Sequence, residues 1–308
     1  MVAAAWKAEG RGSGFARPTT FDPKICFRHL FEALRDRGLS AGRIGIETNA
    51  VSARDYPDLE AALNGLQLVD ASELVARLKM VKSPAEINFL RQAVTMAESG
   101  ILAVKDAIAE GVTRNELADS WTKALQYNPD DYKIDGSWEY ISVGPDPWGG
   151  DASAMPGDLI KVDVGCLVEG YTSDTGRTFV LGAPTSQQER LYAALMKGFV
   201  AGSDLLLPGI PLREVHRATL AAIRSSGFPG YSRGHFGHGL GAGLGSEEWP
   251  FISADSNVLI EPGMVLAFEC PWYINGLGGL IIENQILITE KGPEVMNSLP
   301  IDLIEVGT

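Results

Sequence analysis

Asp163 and Asp174 stand eleven residues apart, and the text between them reads as a hairpin. Leu159, Val162 and Val164 lie on one arm and Thr178, Phe179 and Val180 on the other, with Glu169-Gly170 near the turn. If the loop has an even number of residues, an odd separation allows the two acids to lie directly opposite on one face. Facing carboxylates repel strongly unless a cation or a proton lies between them. Downstream come His238 in Gly237-His238-Gly239-Leu240-Gly241, Glu269 in Ala267-Phe268-Glu269-Cys270-Pro271 and Glu283 in Ile281-Ile282-Glu283-Asn284-Gln285. Four carboxylates and one imidazole on mostly apolar strands need partners once buried, and a dinuclear metal centre is a natural one.

The elements that must position these groups fall into two sets. Asp22-Pro23 predicts a helix start, with Gly38 ending it, and Ile44-Gly45-Ile46-Glu47 a short strand. A helix around Asp58–Leu63 and a strand at Leu66–Asp70 complete a small α/β module that is short for a full domain. Residues 1–20 show no periodicity and read as a tail or a partly ordered strand region. Ser83-Pro84-Ala85-Glu86 and Thr113-Arg114-Asn115-Glu116 are capping boxes, predicting a long helix to about Ile108 and a second carrying Leu117, Trp121 and Leu125. Glu139–Val143 reads as one strand ahead of the Asp hairpin. Ser186-Gln187-Gln188-Glu189 is expected to cap a third long helix to about Leu207, followed by a fourth over Pro211–Ile223. From Tyr231 onward the pattern is strands and Gly-rich turns. The second set is therefore α+β, with two helix pairs each followed by acid-bearing strands.

Composition limits the rest. With 308 residues, 45% hydrophobic and 21% charged, the chain has ample material for one large core or a small and a larger domain. A formal net charge of −13 argues against nucleic acid as a partner, and no apolar run reaches the length of a membrane span. The N-terminal stretch lacks the apolar segment of a secretory signal. Cys26, Cys166 and Cys270 are odd in number and without metal-motif spacing. A cytoplasmic location with free thiols is expected, with Cys166 and Cys270 packed in the core.

Taken together, Val162-Asp163-Val164-Gly165, Gly170-Tyr171-Thr172-Ser173-Asp174, Arg177-Thr178, Gly237-His238-Gly239-Leu240-Gly241, Glu261-Pro262-Gly263-Met264-Val265 with Glu269, and Ile282-Glu283-Asn284 resemble the M24 metallopeptidases. That family includes methionine aminopeptidase, aminopeptidase P, prolidase and creatinase. The linker Lys82-Ser83-Pro84-Ala85-Glu86 matches as well, and the resemblance covers roughly residues 80–295. It implies an α+β pita-bread catalytic domain over 80–308, preceded by a shortened creatinase-like module over 1–79. It also implies two divalent ions (Mn, Fe, Co or Zn) held by Asp163, Asp174, His238, Glu269 and Glu283, with Asp174 and Glu283 bridging. A metal-bridging hydroxide would attack, Glu269 would accept its proton, and the protein would be a homodimer.

The resemblance has gaps. Peptidases of this family carry further histidines around the substrate. Residues 144–156 contain none, and Glu247 of Glu247-Glu248-Trp249-Pro250 stands where another would be. The arginine that often precedes the last glutamate ligand by two positions is Ile281. His235 is the extra imidazole near the site, so His235 and Glu247 join Glu269 as candidate catalytic groups. Trp148 and Trp249 are candidate pocket residues; Tyr171, His216 and His29 read as structural. The expected function is cleavage of a C–N bond in a small substrate, by default an Xaa-Pro dipeptide. The alternatives are a non-peptidase relative, such as an amidine or cyclic-amide hydrolase or a lyase, and a catalytically silent binding protein.

Overall fold

The computed structural model describes residues 22–127, 132–150, 152–243 and 247–307; the tail expected over 1–20 lies outside them. The chain divides into two compact units, the first ending at Arg77 and the second starting at Leu78.

In the first unit, α1 (Pro23–Asp36) starts as expected, with the Asp22 carboxylate accepting from the Lys24 amide and Pro23 in the first turn. β1 (Gly42–Ile46) and β2 (Leu66–Asp70) pair in parallel, and α2 (Tyr56–Ala62) makes the crossover between them. A helix that sequence reading passes over follows, α3 (Ser72–Met80), across the division between the units. The Asp70 carboxylate accepts from both the amide and the hydroxyl of Ser72 and so caps its start.

The second unit begins with α4 (Pro84–Ala107) and α5 (Arg114–Gln126), and both capping boxes form, Ser83 with Glu86 and Thr113 with Glu116. These helices cover a sheet made of β3 (Ile134–Glu139), β4 (Ser142–Val143), β5 (Leu159–Val168), β6 (Tyr171–Thr172), β7 (Thr175–Leu181) and the late strand β15 (Ile304–Val306). Met96, Ile101, Leu117 and Trp121 from the helices pack on Val162, Val164 and Phe179 from the strands. The single strand expected at Glu139–Val143 is two strands with a break at Tyr140-Ile141. There the Tyr140 amide still donates to Asp163 O, but the Ile141 amide turns to the Glu139 side chain, which interrupts the ladder.

The second half repeats the plan. α6 (Ser186–Ser203) is capped by Thr185, one residue earlier than expected, with Gln188 closing the box, and it ends before Leu207 because Asp204 and the turn to Pro208 break it. α7 (Leu212–Ser225) has Pro211 as its N-cap and not as its first residue. These helices cover β8 (His235–Gly239), β9 (Glu248–Ser253), β10 (Val265–Glu269), β13 (Glu283–Thr289) and β14 (Gly292–Val295), in the order β14-β13-β10-β8-β9. β11 (Trp272–Ile274) and β12 (Gly278–Leu280) form a separate hairpin. Leu195, Phe199, Val215 and Ile223 meet Phe236, Leu266 and Phe268 in this core.

Two buried groups on β7 tie the halves together. Thr178 Oγ1 donates to Ile281 O at 2.9 Å and accepts from the Ile281 amide at 2.8 Å. The Arg177 guanidinium, fully buried, donates to Gly176 O, Glu283 O, Asn284 Oδ1 and Leu299 O. A buried guanidinium is tolerated only with acceptors of this kind, and here Nη1 and Nη2 are satisfied while Nε has no partner. Its placement holds the start of β13 against β7, where the acids converge. No helix among the described residues is long and apolar enough to cross a membrane.

Candidate metal centre

The hairpin turn is where the sequence places it, but the register differs by two residues from a direct Asp163–Asp174 pairing. Val168 pairs with Tyr171, so Glu169-Gly170 is a two-residue loop. Both residues have positive φ, 51° and 80°, as a type I′ turn requires, and glycine takes the second at no steric cost. That turn fixes Asp163 opposite Gly176 and Val164 opposite Thr175. Asp174 therefore falls just before β7, diagonal to Asp163 across the ladder.

The directly opposed pair of acids is elsewhere. Glu269, at the end of β10, lies opposite Glu283, the first residue of β13. His238 on β8 lies opposite Ala267, two residues before Glu269 and so on the same face. This approach depends on Gly237: its φ is 126°, and a Cβ there would fall 1.9 Å from Ala267 O. Each half of the fold thus brings its acids to one place. A cavity of about 280 Å³ is lined by Asp163, Asp174, His238, Glu247, Glu269 and Glu283.

Asp174, His238, Glu269 and Glu283 are all buried. One ligand atom from each of Asp174, His238 and Glu283 lies within 4.8 Å of the others, and His238 Nε2 is 3.5 Å from Asp174 Oδ2. His238 Nδ1 is 3.0 Å from Gly239 O. A carbonyl can only accept, so Nδ1 carries the proton and Nε2 presents its lone pair to the acids. Asp174 Oδ1 and Glu283 Oε2 are buried without a hydrogen-bond partner. Burial, then Asp163 and Glu269, hold the Asp174 carboxyl well above the usual range; burial, then Asp174 and Asp163, do the same to Glu283. Orphaned oxygens, an imidazole nitrogen among the same acids and buried carboxyls that resist ionisation together fit a divalent cation. Oxygen donors with one nitrogen suit Mn, Fe, Co or Zn.

The outer acids have partners. Asp163 Oδ2 accepts from Lys161 Nζ at 3.1 Å, and Glu269 Oε1 from Arg233 Nη2 at 3.1 Å. Neither cation is picked out by motif reading. Lys161 was legible in principle, since it precedes Asp163 by two residues on a strand and must share its face. Arg233 comes from a segment with no period to betray it. Tyr140, Tyr273, Trp138 and Trp148 complete the wall, and Trp148 stacks on Tyr273 with ring centroids 4.6 Å apart.

The remaining candidates separate. Glu247 reaches the cavity, whereas Glu248 turns away to Lys79 at 2.7 Å and Lys82 at 3.8 Å. His235 is not on the cavity wall; its Nδ1 accepts from the Gly237 amide and lies 3.5 Å from Glu269 Oε1. Burial pushes its pKa down, with Glu269 opposing. Trp249 lines a different groove, beside Phe251. Tyr171 packs on Phe89 and donates to Glu86, His216 is buried against Phe236 and Arg233 O, and His29 pairs with Glu32 on the exposed side of α1. Cys166 and Cys270 are both buried. Among the described residues, His238 is the only imidazole on the cavity wall.

Comparison with known proteins agrees with this geometry. The model of metallopeptidase family M24 matches residues 88–290, and that of the creatinase/prolidase N-terminal domain matches 14–81. An uncharacterized peptidase of Bacillus subtilis, YqhT, is 31% identical over 268 residues, 85% of this chain and 74% of the relative. The Xaa-Pro dipeptidase from Bacillus anthracis is 25% identical, with a TM-score of 0.82 over 91% of this chain and 78% of that one. The prolidase from Pyrococcus horikoshii is also 25% identical, with a TM-score of 0.81 over 90% of this chain and 79% of that one.

Proposed function

The chain belongs to metallopeptidase family M24 and has its pita-bread fold, and from that premise we propose that it is a metal-dependent Xaa-Pro peptidase acting on dipeptide-sized substrates. The observation that carries the reading is that Asp174, His238 and Glu283 converge within 4.8 Å in a buried cavity while one carboxylate oxygen of each acid, Asp174 Oδ1 and Glu283 Oε2, has no hydrogen-bond partner. Asp174, His238 and Glu283 would hold a divalent ion, with Asp163 and Glu269 flanking them to complete the two-ion site the family resemblance implies. Bound there, such ions polarise a scissile carbonyl and make water nucleophilic near neutral pH.

The chain's own residues supply the rest. Glu269 is a buried acceptor for the proton released in the attack, and Arg233 holds it in orientation. Tyr140 and Tyr273 stay protonated because burial, then Asp163, raises both phenols. They offer hydroxyl donors in the cavity where the family resemblance implies imidazole. The stacked Trp148 and Tyr273 give an apolar wall suited to a pyrrolidine ring. Glu247, on the same wall, would anchor the substrate's ammonium group. A module over 1–79, a catalytic domain over 80–308, a homodimer and a cytoplasmic location complete the proposal.

The test is hydrolysis of a panel of Xaa-Pro dipeptides by protein reconstituted with Mn²⁺, Fe²⁺, Co²⁺ or Zn²⁺, with Glu283→Gln as control. Turnover absent from the control supports the reading. A second reading is favoured by the single imidazole on the cavity wall: hydrolysis of a cyclic amide or amidine by the same centre. Stoichiometric metal without dipeptide turnover would shift the assignment there.

A further inference from the structure

Asp163 and Glu269 are each tied to a cation of the chain itself, while the inner acids Asp174 and Glu283 are not. The two cations differ. Arg233 keeps 26% of its side chain exposed, but the Lys161 side chain has no exposure at all. The Lys161 ammonium lies 3.6 Å over the Tyr140 ring and 5.4 Å from that of Tyr273, and its hydrogen bond goes to Asp163. Its stem occupies a built slot. A Cβ on Gly279, on the facing β12, would come within 3.2 Å of Lys161 Cδ and 3.0 Å of Ser142 Oγ, so only glycine leaves that room freely. A buried ammonium enclosed by aromatic faces depends on its carboxylate. The ligand atoms close enough to share one ion come from Asp174, His238 and Glu283, and not from Asp163.

We propose that Lys161 is a resident cation that occupies Asp163, so that the centre takes its first divalent ion at Asp174, His238 and Glu283 and a second, beside Asp163, only by displacing the ammonium from that carboxylate. This rests on the reading of the cavity as a divalent-metal centre. The ammonium and the second ion compete for one carboxylate, and they repel each other across a few ångströms of low dielectric. Because the Lys161 stem is confined in the slot, the ammonium gives up its hydrogen bond to Asp163 but stays close by, and the repulsion persists after displacement. The two metal affinities are therefore unequal, and Lys161 sets the gap.

The experiment is titration of metal-free, full-length protein with Mn²⁺, followed by calorimetry and by electron paramagnetic resonance. Wild type should bind one equivalent tightly with an uncoupled Mn²⁺ spectrum, and a second at least about tenfold more weakly, with exchange coupling appearing only in excess metal. Lys161→Met should tighten the second equivalent about tenfold or more and leave the first unchanged; Lys161→Arg, which keeps the charge, should keep the gap. Two equivalents of equal affinity in wild type would overturn the proposal even if the variants fail to fold. So would a second affinity unmoved in Lys161→Met, or a gap closed equally by Lys161→Arg. Binding of no Mn²⁺ at all would remove the metal reading itself, which is a different result from equal binding.

Discussion

Glu283→Gln should make the metal-free protein more stable and the metal-loaded protein less stable than wild type. Glu283 is 2% exposed, its Oε2 has no hydrogen-bond partner, and three other acids surround it. Gly176 packs so closely that a Cβ there would lie 2.9 Å from Oε2. Without metal, the carboxylate must either carry an uncompensated buried charge or take up a proton. An uncompensated buried ion costs several kcal/mol even after relaxation; protonation relieves part of this, which leaves about 1–3 kcal/mol for an isosteric neutral amide to recover at neutral pH. At roughly 2–4 °C per kcal/mol for a unit of this size, the unfolding midpoint should rise by several degrees. With metal at about a thousand times its Kd, wild type gains about 4.1 kcal/mol that the variant forgoes, so the order of the two proteins inverts. The pH dependence follows from the raised carboxyl. A folded-state pKa above the unfolded value stabilises fully below the unfolded pKa, near 4, and the contribution is lost as pH rises through the folded value. Metal-free wild type should therefore weaken from acid toward neutral pH, and the advantage of Glu283→Gln should grow over the same window. Thermal unfolding at several pH values, with and without Mn²⁺, measures all of this. A variant less stable than wild type in both states, by a similar amount at every pH, would refute the reasoning.

Three further outcomes are expected. Glu247→Gln should lower kcat/KM about tenfold or more with metal content unchanged; an unaltered rate would make Glu247 a solvated loop acid. Arg177→Met would strand three buried acceptors, each costing about 1–3 kcal/mol, and a half-buried one at Leu299 O, so the variant should unfold at least about 3 kcal/mol more easily in denaturant titration. A loss under 1 kcal/mol would mean that Arg177 does not tie the halves together. A thiol reagent at pH 8 should modify Cys26 in the native state and reach Cys166 and Cys270 only on unfolding, because both are buried and burial pushes the Cys166 thiol up to about 12. Fast labelling of more than one thiol per chain would contradict that.

The helices and most strands were legible from local chemistry. Ser83, Thr113 and Asp22 cap where their side chains reach the first free amides, and the apolar Leu159, Val162 and Val164 already put Asp163 on a buried strand. The five acid and imidazole candidates stood out too, Asp163, Asp174 and His238 in short motifs that carry glycines and Glu269 and Glu283 as lone acids on apolar strands. Register was not. Eleven residues between Asp163 and Asp174 permit direct opposition, yet a two-residue Glu169-Gly170 turn moves Asp174 to the diagonal, and only cross-strand pairing selects between the two. The choice between Glu247 and Glu248 was also invisible in the text. One faces the cavity and the other reaches Lys79 and Lys82, which lie more than 160 residues earlier in the chain. Lys161 and Arg233 became part of the site only when β5 and the segment before β8 met across the fold. Sequence pattern acts through neighbours a few residues apart and so determined the elements and the ligand types. Which charges face each other depends on contacts between distant segments, and those the tertiary structure decided.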